Sequence, residues 1–135
     1  MKTTLMMFTA KVERRYLRDA YRYHPGQGWK QLSDLPHPVT AAPSPAPTDA
    51  SGIYILGGDD GLQIGGDLQR HRGFSKRVIR FDKQLAIWIE DGDLPASRVT
   101  VPCVTWRNAW VIPSGEMHPG VRSPEVWVMT PGMNE

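Results

Sequence analysis

Hydrophobic and aromatic residues occur along this chain in short runs, each closed by glycine or proline. Ala20-Tyr21-Arg22-Tyr23 and Val78-Ile79-Arg80-Phe81-Asp82 read as aromatic or β-branched strands, and Gly52-Ile53-Tyr54-Ile55-Leu56-Gly57-Gly58-Asp59 and Ala109-Trp110-Val111-Ile112-Pro113-Ser114-Gly115-Glu116 as buried strands ending in a turn. The pattern recurs. Trp29 is followed by Asp34-Leu35-Pro36 and Trp88 by Asp93-Leu94-Pro95, both pairs displaced by 59 positions. Val-Thr and an apolar run come next in each copy, as Val39-Thr40-Ala41-Ala42 and as Val99-Thr100-Val101-Pro102-Cys103-Val104, and Asp59 and Glu116 then fall in matching places. The unit is four short strands: an apolar run, an aromatic strand ending in Gly-Gly, a β-branched or aromatic strand, and a strand bearing tryptophan that closes at Leu-Pro.

This unit resembles a kelch repeat, on the Gly-Gly end, the later Tyr or Phe and the closing Trp. The resemblance implies an all-β fold, a kelch-type β-propeller built from four-stranded blades, with large aromatics filling the wedge between blades. Two strands in roughly 19–32, four in 39–90 and three in 99–129 make about two to two and a half blades, whereas a propeller closes with about 4–8. The expectation is therefore a partial kelch β-propeller over 19–135, a C-terminal fragment of a longer protein, with poor stability or self-association through its open blade faces. Residues 1–18 do not fit the blade pattern and stay unassigned, Lys11 to Leu17 reading as a helical turn or a frayed strand.

Composition narrows the classes. Thirteen Gly and 12 Pro punctuate the 135 residues, yet 40% hydrophobic content is too much for disorder. Sixteen basic against 14 acidic side chains give a net charge of +2, without the basic footprint of a nucleic-acid partner, and no apolar run reaches the roughly 20 residues of a membrane span. Cys103 is the single cysteine, which excludes an internal disulfide and leaves the redox compartment open. Leu5 to Phe8 are too short an apolar stretch for a signal peptide and run into Lys11, Glu13, Arg14 and Arg15.

Antiparallel strands bring alternate connections to one end of the blades. Gly58 to Ser75, Asp91 to Arg98, Gly115 to Ser123 and the Pro36-His37-Pro38 corner share that rim, gathering Asp59, Asp60, His71, Arg72, Arg98, Glu116, His118 and Arg122. Within it, Gly115-Glu116-Met117-His118-Pro119-Gly120-Val121-Arg122 resembles a segment of the kelch-type N-acetylneuraminate epimerase (sialic acid mutarotase) family. The resemblance implies an isomerase of carbohydrate metabolism with Glu116 as proton acceptor and Arg122 beside it; full members have around six blades and are periplasmic. Anomerising a 2-keto sugar acid suits a carboxylate base and an arginine that grips the substrate carboxylate in two places, and it requires no cofactor and no metal. Arg98, His71, Arg72 and Asp59 are the further substrate-binding candidates, His71 and Arg72 as part of a lid over the pocket, and His118 is a candidate second acid.

Each residue also has a plainer reading. Glu116 and Arg122 can pair within their loop, Arg98 can pack a corner, the 61–75 insertion can be a solvated loop, and Asp59 and Asp60 can cap the Gly-Gly turn. The alternative function is a non-catalytic kelch module that binds a protein or glycan partner. Signatures of metalloproteases, P-loop and dinucleotide-binding folds and serine hydrolases are missing from the sequence, and the Asp59-Asp60-Gly61 and Asp91-Gly92-Asp93 runs lack the closing glutamate of a calcium loop.

Overall fold

The computed structural model describes residues 13–130. β1 (Tyr21–His24) and β2 (Gly28–Gln31) form a hairpin, and β3 (Gly52–Gly58), β4 (Ser75–Asp82) and β5 (Ile87–Asp93) form an antiparallel sheet in chain order. β6 (Val104–Trp106), β7 (Ala109–Pro113) and β10 (Val126–Met129) make a second three-stranded sheet with β7 in the centre. Between β7 and β10 the short strands β8 (Glu116–His118) and β9 (Val121–Arg122) form a separate hairpin. The architecture is all-β, with the sheets of propeller blades. A single 3-10 turn, Leu68–Arg70, lies in the long connection from β3 to β4.

The sequence repeat is a structural one. Tyr23 stands directly opposite Trp29 across the first hairpin with ring centroids 5.2 Å apart, and Phe81 stands opposite Trp88 across β4 and β5 at 5.0 Å. Such cross-strand aromatic pairs fix the register of the strands that carry them. Leu35 and Leu94, the leucines of the two Leu-Pro corners, are both buried. After each corner the chain bends in the same way: Thr40 and Asp59 exchange backbone hydrogen bonds of 2.9 and 2.8 Å, and Val99 and Glu116 exchange bonds of 3.1 and 3.0 Å.

One expectation fails here. The runs 39–42 and 99–104 are not the inner strands of their blades, because Ala41 and Thr100 take left-handed backbone conformations (φ 55° and 54°) that break a ladder, and Pro43, Pro45, Pro47 and Pro102 withhold donors. The two segments instead run side by side: Thr100 N–H donates to Ala41 O at 3.0 Å, Ser44 N–H to Val101 O at 3.2 Å, and Cys103 N–H to Ser44 O at 3.0 Å. In the second repeat the first strand of the unit shrinks to one bridge between Thr48 and Ile53, while in the third β6 starts only at Val104. Residues 39–90 thus hold three strands, not four. Of the segment 1–18, residues 13–18 have no regular structure and the rest, including Lys11, lies outside the described residues.

The core lies between the two three-stranded sheets. Leu56 and Val78 from one sheet, Trp110 and Ile112 from the other, and Leu94, Val101 and Cys103 from the corner segments form one buried cluster. Tyr54 reaches across to Trp110, with centroids 4.9 Å apart. Burial pushes the Cys103 thiol above its ordinary pKa, leaving it a packing residue. Large apolar side chains of the two end sheets are open to solvent, among them Trp29, Trp106, Val126 and Val128.

His37 packs in the Pro36–Pro38 corner with neither ring nitrogen hydrogen-bonded, although Nδ1 lies 3.5 Å from Glu90 Oε1. Burial first, and the nearby Arg77 charge second, hold its pKa below the usual histidine value; Glu90 and Asp60 pull the other way.

Two predictions test this packing. Leu56→Ala, emptying a site at 2% exposure, is expected to cost about 2–5 kcal/mol in denaturant unfolding. For His37 the unfolded chain takes up the proton more readily than the folded one, so stability declines as pH falls below about 6.5. Melting temperatures recorded from pH 7.5 to 5 should show a shallower decline in His37→Leu than in the parent chain.

Candidate functional site

The rim is set by two matching corners. Gly57 and Gly58 have φ of 68° and 99°, and Ser114 and Gly115 repeat those values at 68° and 105°. A side chain at Gly115 would meet Arg98 Cβ at 3.0 Å and Val101 Cγ1 at 3.1 Å, so the corner requires glycine on both counts. The next residue in each copy, Asp59 or Glu116, is pinned by its backbone to the facing corner segment. Because Thr100 N–H also donates to Ala41 O, these two acidic positions sit on adjoining rims.

Their side chains have different fates. Asp59 Oδ2 accepts from the Tyr16 hydroxyl at 2.8 Å and Oδ1 from Gly61 N–H at 2.9 Å, so this carboxylate anchors the N-terminal segment and caps the turn. The Tyr16 hydroxyl is correspondingly held above its ordinary pKa, first by that hydrogen bond. Asp60 Oδ1 caps Leu62 N–H at 3.1 Å and Oδ2 pairs with Arg77 at 3.4 Å. Glu116 stands opposite Arg122 in the β8–β9 hairpin, and its Oε1 accepts from Gly120 N–H across the turn. Arg122 is exposed and its guanidinium makes one long bond, 3.5 Å, to Thr100 O. No ion pair joins Glu116 to Arg122 among the described residues; Arg122 is exposed, while Glu116 is half-buried with its carboxylate held by the Gly120 amide.

Arg98 is turned inwards. At 2% exposure its Nη1 donates to Ser97 O at 2.6 Å and its Nη2 to Ser123 Oγ at 3.0 Å and to Glu125 Oε2 at 2.5 Å, while the guanidinium carbon lies 5.9 Å from the centroid of the Trp127 ring. In this arrangement it braces the corner that carries Glu116. His37 sits at the related corner one repeat earlier, flanked there by Arg77 and Glu90.

The insertion Gly61 to Ser75 lies against the hairpin. His118 Nδ1 is 2.9 Å from His71 O, and a cleft of about 550 Å³ lined by Asp60, Leu62, Gln63, Arg72, Gly73, Phe74 and Ser75 opens beside it. The Arg72 side chain is exposed, its backbone N–H held by Gln63 Oε1 at 2.7 Å. The sequence pattern pointed to Glu116, Arg122, Arg72 and His71 as rim residues but not to Gln63, Ser123, Glu125 or Tyr16, whose roles depend on partners 9 to 43 positions away. Among the described residues no group of three or more His, Cys, Asp or Glu side chains is placed to hold a metal ion.

No protein-family model and no curated protein sequence matches the chain. Among solved structures, that of YjhT is similar, with a TM-score of 0.60 and 18% identity, over 82% of this chain and 34% of that one. The chain therefore spans about a third of the structure it matches. At this identity the likeness establishes the propeller fold.

Because Glu125 is the charge partner of a buried guanidinium, Glu125→Ala leaves Arg98 uncompensated and is expected to cost about 2–4 kcal/mol, read by urea titration. Glu125→Gln, which keeps one acceptor for Nη2, should lose less.

Proposed function

We propose that the rim is a sugar-acid site of the sialic acid mutarotase kind, in which Glu116 is the general base and Arg122 the clamp for the substrate carboxylate. The observation that carries this reading is the pairing of Glu116 with Arg122 across one short hairpin, with no ion pair between them and the guanidinium left exposed. The propeller fold and the resemblance of residues 115–122 to the mutarotase segment support it.

The chemistry rests on these groups. Glu116 takes the proton of the anomeric hydroxyl while the bond from the anomeric carbon to the ring oxygen breaks, and that proton passes from Glu116 through water to the released ring oxygen. The open-chain ketone rotates, and the reverse steps close the other anomer. A positioned carboxylate of this kind contributes about 10²–10⁴ in rate. A planar, permanently charged guanidinium at Arg122 matches a carboxylate in two parallel hydrogen bonds. Arg72 and His71 belong to the insertion, which meets the hairpin on its other side, and Arg98 and Asp59 support the rim from behind through their internal partners.

A second reading, a non-catalytic kelch module that binds a protein or glycan, draws on the same geometry: two of the proposed substrate contacts, Arg98 and Asp59, already have partners within the chain. Self-association through the exposed aromatics of the end sheets accompanies either reading as part of the proposal.

Exchange NMR on free N-acetylneuraminate separates the two. The mutarotase reading expects faster anomer exchange with the chain present, a loss of about 10²-fold or more in Glu116→Gln, and a weaker apparent affinity in Arg122→Lys. Exchange rates unaffected by the chain favour the binding module.

A further inference from the structure

The contact between the 61–75 insertion and the β8–β9 hairpin sets the tautomer of both neutral histidines in it. A carbonyl oxygen can only accept, so at 2.9 Å from His71 O the His118 ring carries its proton on Nδ1 and, when neutral, leaves Nε2 bare. His71 is fixed the other way, since its Nδ1 accepts from Gly73 N–H at 3.1 Å. The two rings meet edge to face, with centroids 6.3 Å apart and planes at 79°. The loop under them is itself tied together: the Gln63 side chain donates to Gly73 O at 2.8 Å and accepts from Arg72 N–H, and Phe74 packs on His71 at 5.0 Å.

The hairpin register shows what this contact does. Pairing slips between Glu116 and His118, so that Glu116 faces Arg122 and His118 faces Val121. Successive residues of β9 project to opposite sides, which sends His118 to the insertion and Glu116 with Arg122 to the other side. A two-stranded ribbon of this length does not hold its own shape in water, and beyond its pinned base at Val99 and Gly115 the insertion is its support.

We propose that His118 is a positioning residue that latches the β8–β9 hairpin to the insertion loop and thereby fixes the direction of the Glu116 carboxylate. The insertion is then a backstop for the hairpin, in place of the lid that the sequence suggested. The activity readout of this inference rests on the mutarotase reading; its hydrogen-exchange readout does not.

The Gly120 amide, held by Glu116 Oε1, reports on the carboxylate's placement, and the fully buried Ile79 reports on the fold. His118→Ala is expected to speed Gly120 amide exchange by about 3–10-fold with Ile79 unchanged, and to lower kcat for N-acetylneuraminate exchange more than it alters KM. His118→Asn, whose side-chain amide nitrogen takes the place of Nδ1, should restore both. Unchanged Gly120 exchange in the alanine variant overturns the latch. So does an asparagine variant that keeps Gly120 protection but loses turnover, which assigns proton transfer to Nε2 instead. If the parent chain shows no turnover the mutarotase reading fails, and the exchange data alone decide the latch. Should His118→Ala unfold, His118→Asn carries the test, and Gly120 exchange unlike the parent's overturns the proposal.

Discussion

The seam where residues 41–44 run beside residues 100–103 is the constraint on which the remaining geometry depends. Three backbone hydrogen bonds cross it, and it brings Val101 and Cys103 onto Leu56 and Trp110 to close the core between the sheets. Its chain path needs left-handed backbone at Ala41 and Thr100, a conformation that costs an ordinary residue about 1–2 kcal/mol and persists because the surrounding bonds over-determine it. Proline-rich sequence suits such a seam, since it has few donors to leave unsatisfied.

That seam sets the rim. Each corner segment pins the residue after the Gly-Gly or Ser-Gly bend, so equivalent acidic residues arrive on neighbouring rims without any contact between their side chains. The segments downstream of the two bends then separate them. After Asp59 comes an insertion, and a tyrosine from the N-terminal segment accompanies the carboxylate; Glu116 instead opens a hairpin, where it is half-buried, held by Gly120 N–H and opposite an exposed arginine. One repeat ties its acid to the N-terminal segment, and the next ties its acid to the turn of its own hairpin.

Cations are divided in the same way. Arg98 and Arg122 belong to one short stretch of rim, yet the first is enclosed by Ser97, Ser123, Glu125 and Trp127, and the second is open. Enclosure makes Arg98 a rigid strut, because a buried guanidinium without its partners is costly. Arg122 and Arg72 are both exposed. The insertion loop carries its own polar ties and meets the hairpin through His118 and His71 O.

Local pattern was enough for the repeat and the all-β class, since strand period and Gly-Gly bends are properties of neighbours along the chain, whereas the β8–β9 hairpin and the facing Tyr-Trp and Phe-Trp pairs came from the structure. It did not reveal that 41–44 and 100–103 form a seam instead of strands, because an apolar run reads the same in a ladder as beside one, and the deciding left-handed residues are Ala41 and Thr100, not glycines. Nor did it reveal the partners of Arg98, Asp59 or His118, which lie 25, 43 and 47 positions away and meet them only once the sheets are stacked. Sequence by itself determined the all-β repeat and the places of its bends, through the spacing of Gly-Gly, Trp and Leu-Pro. Tertiary structure alone decided which of their charges are consumed inside the protein, because the desolvation and hydrogen bonding of a side chain depend on what packs against it from elsewhere in the chain.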